Sequence, residues 1–343
     1  MKAANNHART QTHDWYKERL ALPRGLNRVV IDTDAANEID DQFAIAWALL
    51  CPQAMQVEAI YAAPFSFAHR RHLHPQAAAD ALPFAPPEIG MHRSYDEIIK
   101  VYELLGKSHA GKVWHGSPGY LQSLAHPIKS PATEHLISLA RQCSADKPLY
   151  VLALGCVTNT SSALLLAPDI ADKIVVVWTS GFPSHAPHAN HAFNLEQDML
   201  ASQWLFRCGV PLVYLPGYHV GAQLRLSLAE MALYVKGQGA IGDYLFELFT
   251  HNPLWPMLGL DGQGPHSWVI WDIINIAWMI DPTWVQTHLV TTPVLGDNKM
   301  WCQDPKLAPM REGFAVQRDT IFNHFFSSLA AAHTPLILPT QIV

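Results

Sequence analysis

The feature that most constrains this chain is a short apolar run, Arg28-Val29-Val30-Ile31, which delivers Asp32, Thr33 and Asp34 and is followed six residues later by Asp40 and Asp41. Four aspartates within ten residues repel one another unless a cation sits among the oxygens, because like charges a few ångströms apart raise each other's pKa. A bound metal ion is the simplest resolution. The β-branched run at 28–32 reads as a buried strand, and Gln42 to Leu50 is apolar nearly all round and long enough for a buried helix. The acids therefore lie in a strand-to-helix loop. In open parallel sheets such loops sit where ligands bind, at the carboxyl ends of strands and at helix N-termini. The competing reading is a helix cap at Asp40 or Asp41, worth about 1 kcal/mol, although one cap does not need four acids.

Further along, Val57 to Tyr61, Pro148 to Leu154, Asp172 to Trp178 and Pro211 to Leu215 read as strands. Helical patterns fall at Tyr95–Leu105, Ala132–Cys143, Thr160–Leu166 and Glu196–Phe206. Alternating strands and helices predict an α/β fold with an open, mainly parallel, doubly wound sheet flanked by helices. Residues 1–26 are polar and read as an N-terminal extension. Residues 27–343 read as a single α/β domain, with an irregular Pro- and Ala-rich insertion or lid at about 64–87. No internal repeat is visible.

A chain of 343 residues with 49% hydrophobic content can bury a large core. A net charge of −6, with a sequence pI near 6.3, argues against a grip on nucleic acid polymers, which needs clustered Lys and Arg. The five cysteines are scattered and form no CxxC pair, so they read as reduced thiols. The first twenty residues lack the apolar core of a secretory signal, and no run of eighteen apolar residues occurs. A cytoplasmic protein without a membrane partner is expected.

If the first loop holds a metal, loops after other strands should add oxygen ligands. Leu154-Gly155-Cys156-Val157-Thr158-Asn159 places a glycine at a turn and offers the Thr158 carbonyl and the Asn159 side chain, with a plain helix cap as the alternative. Val269 to Ile280 is a strongly apolar helix carrying Asp272 near its start, where it either caps the helix or meets a buried partner. The all-oxygen donor set selects a hard cation, Ca²⁺ or Mg²⁺, over zinc.

These motifs, together with Phe-Asn-x-x-x-Asp at 193–198, resemble in order and spacing those of the inosine-uridine-type nucleoside hydrolases, over roughly residues 28–330. The resemblance implies Ca²⁺-dependent hydrolysis of an N-glycosidic bond in a nucleoside or ribosyl-like analogue, with a water held at the ion, by a homodimer or homotetramer. Carried over by position, Asp34 is a metal ligand and the base, Asp41 and Asp272 are metal carboxylates, and Thr158 lends its carbonyl. Asp40 and Asn194 contact ribose hydroxyls, and Asp32 is a supporting acid. Vacant coordination positions on the ion would seat a vicinal diol, and anionic oxygens around the sugar would stabilise an oxocarbenium-like transition state.

The chain also departs from the pattern. Its loop is two residues longer and resembles a divergent branch reading Asn-Glu-Ile-Asp-Asp-Gln, in which Asn37 or Glu38 approaches the ligand, a solvated turn being the nearer reading for Glu38. Ala192 stands where many members carry Glu, and Trp271 where a His precedes the last metal Asp. An indole supplies no acid at neutral pH but can stack on a base, and Trp271 reads equally as core. The leaving-group acid is then sought in the His-rich loop after the fourth strand, at His185 or His188. Two other functions compete: a metal- and nucleoside-binding protein without turnover, and a Mg²⁺ phosphatase using Asp32-Thr33-Asp34.

Overall fold

The computed structural model describes residues 11–78, 80–260, 264 and 266–333. Residues 1–10 of the expected extension, residue 79 of the expected insertion and the final residues 334–343 lie outside the described residues. Twelve strands are present among the described residues: β1 Asn27–Thr33, β2 Met55–Ala62, β3 Val113–His115, β4 Leu149–Ala153, β5 Ile174–Ser180, β6 Leu212–Pro216, β7 Arg225–Ser227, β8 Ser267–Val269, β9 Val285–Thr291, β10 Val294–Leu295, β11 Trp301–Cys302 and β12 Pro309–Val316. Eight of them form one sheet in the order β3-β2-β1-β4-β5-β6-β12-β9. Neighbours pair in parallel except β9, which runs antiparallel to β12.

Alternation along the central strands divides the core between two faces. Val29 and Ile31 of β1 point into one apolar cluster, and Val30 points into the other. Both faces are covered by helices, as a sheet buried on two sides requires. The helices Asp40–Leu50, Pro87–Leu104, Ile273–Ile280 and Arg318–His333 feed the first cluster, whereas Pro131–Arg141, Thr158–Leu166 and Met199–Leu205 feed the second. Strand order reverses at β1, with β2 on one side and β4 on the other. The crevice at such a switch point is where an open α/β sheet binds ligands, and the aspartate loop opens there.

Several expected elements differ in detail. The helix expected at 95–105 begins at Pro87, whose missing N–H costs nothing in a first turn. The helix expected at 196–206 is two helices, Phe193–Glu196 and Met199–Leu205, because Asp198 accepts the Ala201 N–H and starts the second. The helix expected from Val269 begins at Ile273, and Ser267–Val269 pairs with β7 instead. Residues 64–87 contain two short 3₁₀ turns, and the segment begins with Phe65, Ser66 and Phe67 buried. Four of the five cysteines are buried and free, and Cys302 is exposed and free. No helix of the described residues is long and apolar enough to cross a membrane.

Ile31 is fully buried on β1, between β2 and β4. Ile31→Ala is expected to cost about 2–5 kcal/mol in chemical denaturation; a loss below about 1 kcal/mol would contradict its place in a close-packed centre.

Candidate active site

The loop after β1 is folded back by local bonds. The Asn37 N–H donates to the Asp34 carbonyl at 2.8 Å, and the Asp40–Leu50 helix then starts without any side-chain cap. Asp40 and Asp41, both buried, are therefore free of the capping role. Asp272 precedes the Ile273–Ile280 helix and also makes no cap bond. One turn further on, Asn275 donates through Nδ2 to the carbonyls of Ala153 at 3.2 Å and Val177 at 2.9 Å. Those two bonds fasten the late helix to the end of β4 and the middle of β5 and bring Asp272 to the early loop. Carboxylate oxygens of Asp40, Asp41 and Asp272 all lie within 4.8 Å of one another.

The converging trio is therefore Asp40, Asp41 and Asp272, where the resemblance implied Asp34, Asp41 and Asp272. Asp34 adjoins the trio without belonging to that grouping. Its Oδ2 accepts from Asn37 Nδ2 at 3.0 Å and Gln197 Nε2 at 3.3 Å, while its Oδ1 is buried without a partner. A Cβ at Gly155 would come within 2.6 Å of that Oδ1, so only glycine lets the turn after β4 approach so closely.

Burial drives the electrostatics. It raises the carboxyls of Asp34, Asp40 and Asp272 well above their ordinary range, and neighbouring carboxylates push each further. Asp41 rises to about 6 through burial, although the Thr33 hydroxyl bonded to it pulls the other way. Buried carboxylates repelling one another around an unpartnered oxygen form a donor set for a hard cation.

A cavity of about 130 Å³ opens on these acids, lined among others by Asp34, Asn37, Glu38, Asp40 and Asp272, with Arg70, Ala192, Asn194, Tyr218 and Trp271 around them. A second cavity of about 400 Å³ shares Glu38, Arg70 and Trp271 with the first. Asn194 donates to the carbonyls of Leu154 and of Thr179. Trp271 stands edge-on to Tyr218, with ring centroids 6.1 Å apart, and packs against Gly221. Asp32 lies behind the site: Asn159 and Thr160 each bond one of its oxygens at 2.9 Å, and burial lifts it to about 6. Both oxygens being engaged, Asp32 is poorly placed to act as a phosphatase nucleophile.

Three expectations are not met by this geometry. Thr158 is buried, donates its hydroxyl to Asp198 at 2.6 Å and does not line the cavity; Leu154, at the start of the same turn, does. His185 and His188 are exposed and line no part of the cavity. Their loop is anchored elsewhere, with Glu312 of β12 accepting from both the N–H and the hydroxyl of Ser184, and His188 lies against Phe182. Glu38 is not a solvated turn residue: Trp268 Nε1 donates to it at 3.4 Å, and burial raises it to about 7.

Sequence reasoning missed Ser180, Gln197 and Arg70. Ser180 ends β5 and lines the cavity with a buried, unpartnered hydroxyl, as Asn37 does with an unpartnered Oδ1. Arg70, from the 64–87 segment, is tied to Glu196 by Nε at 3.1 Å and Nη2 at 2.6 Å. None of the three carries a local sequence signal, since each is made functional by a partner more than one hundred residues away or by its place on a strand end.

An open, mostly parallel α/β sheet with buried acids at its switch point defines a ligand-binding α/β protein, and comparison places it more narrowly. The family model for inosine-uridine preferring nucleoside hydrolase matches residues 29–306. The chain belongs to that family, whose members are hydrolases acting on N-glycosidic bonds. No curated protein matches the sequence. Among solved structures, it is similar to a plant nucleoside hydrolase, PpNRh1, at 17% identity and a TM-score of 0.65, over 89% of this chain and 99% of that one. A purine-preferring ribonucleoside hydrolase from Gardnerella vaginalis gives 18% and 0.64, over 90% and 99%. The type III effector protein XopQ, solved in complex with adenosine diphosphate ribose, gives 14% and 0.59, over 95% and 100%.

The raised carboxyls set a pH dependence. Asp32 and Asp41 move from 3.8 to about 6, so across that window the metal-free fold binds more protons than the unfolded chain and loses stability as pH rises. Each group contributes up to about 1.4 kcal/mol per pH unit. In chelator, Tm should fall between about pH 4 and pH 7, and Ca²⁺ should raise it more at the upper end. A Tm indifferent to Ca²⁺ near neutral pH would contradict the donor-set assignment.

Proposed function

We propose that the chain is a Ca²⁺-dependent hydrolase of the N-glycosidic bond of a nucleoside or ribosyl-like analogue, with Mg²⁺ as the alternative ion. The observation that carries this is the meeting of Asp40, Asp41 and Asp272 within 4.8 Å beside the unpartnered Oδ1 of Asp34. Asp34, Asp40, Asp41 and Asp272 would hold the ion, with the Leu154 carbonyl taking the place first assigned to Thr158. Bound there, Ca²⁺ would supply an anchor for neighbouring hydroxyls and polarise water.

The chain's own groups account for the rest. Asp34 accepts the proton of the attacking water at Oδ1, the oxygen that no amide occupies. Asn37 Oδ1 and Ser180 Oγ, buried and unpartnered on the cavity wall, bond sugar hydroxyls alongside Asp40 and Asn194. The carboxylates stabilise positive charge on the sugar as the glycosidic bond lengthens. Trp271 offers the base a stacking face. His185 and His188 are set aside as leaving-group acids, which leaves Glu38, Arg70 and Tyr218 as the polar side chains facing the departing group. A neighbour bound to adenosine diphosphate ribose supports including ribosyl compounds other than free nucleosides. The same reading expects a cytoplasmic homodimer or homotetramer, which sedimentation would check.

A second reading, binding without turnover, is favoured by one observation: Ala192 lines the cavity where many members of the resembled family carry glutamate. Base release from inosine, uridine and adenosine in the presence of Ca²⁺ decides between them. Turnover is expected. Asp34→Asn should lower kcat by about 10²–10⁴-fold, and Trp271→Ala should act chiefly on KM. Ca²⁺-dependent nucleoside binding with no base release would establish the second reading, and neither binding nor release would remove both.

A further inference from the structure

The side chain of Gln197 joins three loops at the carboxyl edge of the sheet. It follows the Phe193–Glu196 helix and is buried. Its Oε1 accepts from the Ser66 N–H at 3.1 Å and from the Tyr120 hydroxyl at 2.7 Å. A main-chain N–H can only donate, so the atom facing it must be the amide oxygen. Nε2 is thereby turned the other way, where it donates to Asp34 Oδ2 at 3.3 Å. Asn37 Nδ2 donates to the same oxygen at 3.0 Å. Both amides thus occupy one carboxylate oxygen and leave Oδ1 as the buried, unpartnered one.

We propose that Gln197 is a positioning residue that locks the Asp34 carboxylate so that it acts through Oδ1 alone, and that Ser66 and Tyr120 set the orientation of the Gln197 amide. The inference rests on the functional reading above, in which Asp34 both helps to hold the ion and takes the proton of water. Without the Nε2 donor, the carboxylate is free to rotate about its Cβ–Cγ bond and share both oxygens with Asn37. Partners of this kind orient a ligating carboxylate, and their loss typically weakens metal affinity or activity by about 10–100-fold.

Calorimetric Ca²⁺ titration of the full chain, with a thermal melt of each variant, tests this. Gln197→Met keeps the length and removes both polar atoms; Gln197→Glu keeps an acceptor for Ser66 and Tyr120 and removes the donor to Asp34. Gln197→Met should weaken Ca²⁺ binding by about tenfold or more, and both variants should lower kcat for inosine while KM stays within about twofold, the signature of lost transition-state rather than ground-state binding. Tyr120→Phe should move Ca²⁺ binding in the same direction by less, and combined with Gln197→Met should add nothing, because both act on one amide. If Gln197→Met does not fold, Tyr120→Phe and Gln197→Glu carry the test. Wild-type Ca²⁺ uptake with Gln197→Glu retaining full kcat, or with additive losses in the double variant, overturns the positioning role alone. A wild-type chain that takes up no Ca²⁺ overturns the functional reading and this inference with it.

Discussion

Everything at this site depends on buried carboxylates forced close together. Among the described residues, Glu38, Asp41 and Asp34 raise Asp40, and the same three together with Asp40 raise Asp272. A fold does not hold such a group at neutral pH without either protons or a cation. That single demand gives the surrounding bonds their purpose: Thr33 bonds Asp41, Asn37 and Gln197 hold Asp34, and Asn275 fastens the Asp272 helix to the end of β4 and the middle of β5.

The sheet topology makes the encounter possible. Reversal of strand order at β1 opens a crevice beside β4, and the glycine after β4 lets backbone approach within a distance that any side chain would block. The end of β5, the Phe193–Glu196 helix and the 64–87 segment then close the walls through Ser180, Asn194 and Arg70. Rigid strands aim the acids, and loops complete the cavity, the usual division between scaffold and chemistry.

The strand-acid-helix pattern at 28–50 was legible because its β-branched run and apolar helix are strong local signals, and the alternation of later strands and helices supported the parallel sheet. The strands β9 and β12 were not legible. β9 is largely exposed, and β12 carries Pro, Arg and Glu within its run, so neither shows the clean period of a buried strand. At the site, Asp272 could be singled out as an acid opening an apolar helix, but Asn275 could not, because an asparagine in such a helix does not announce which carbonyls it meets. Gln197 and Ser180 were invisible for the same reason. The expectation for His185 and His188 followed loop order along the chain, and the anchoring of Ser184 by Glu312 is a long-range contact that loop order does not contain.

The most direct measurement is a crystal structure of the full chain grown with Ca²⁺, read for anomalous signal. The account predicts one ion bonded, at about 2.3–2.6 Å, to carboxylate oxygens from both the Asp34–Asp41 loop and Asp272. The same carboxylates at the same separations with no ion among them at saturating Ca²⁺ would mean that protons alone balance the cluster, and would contradict the account.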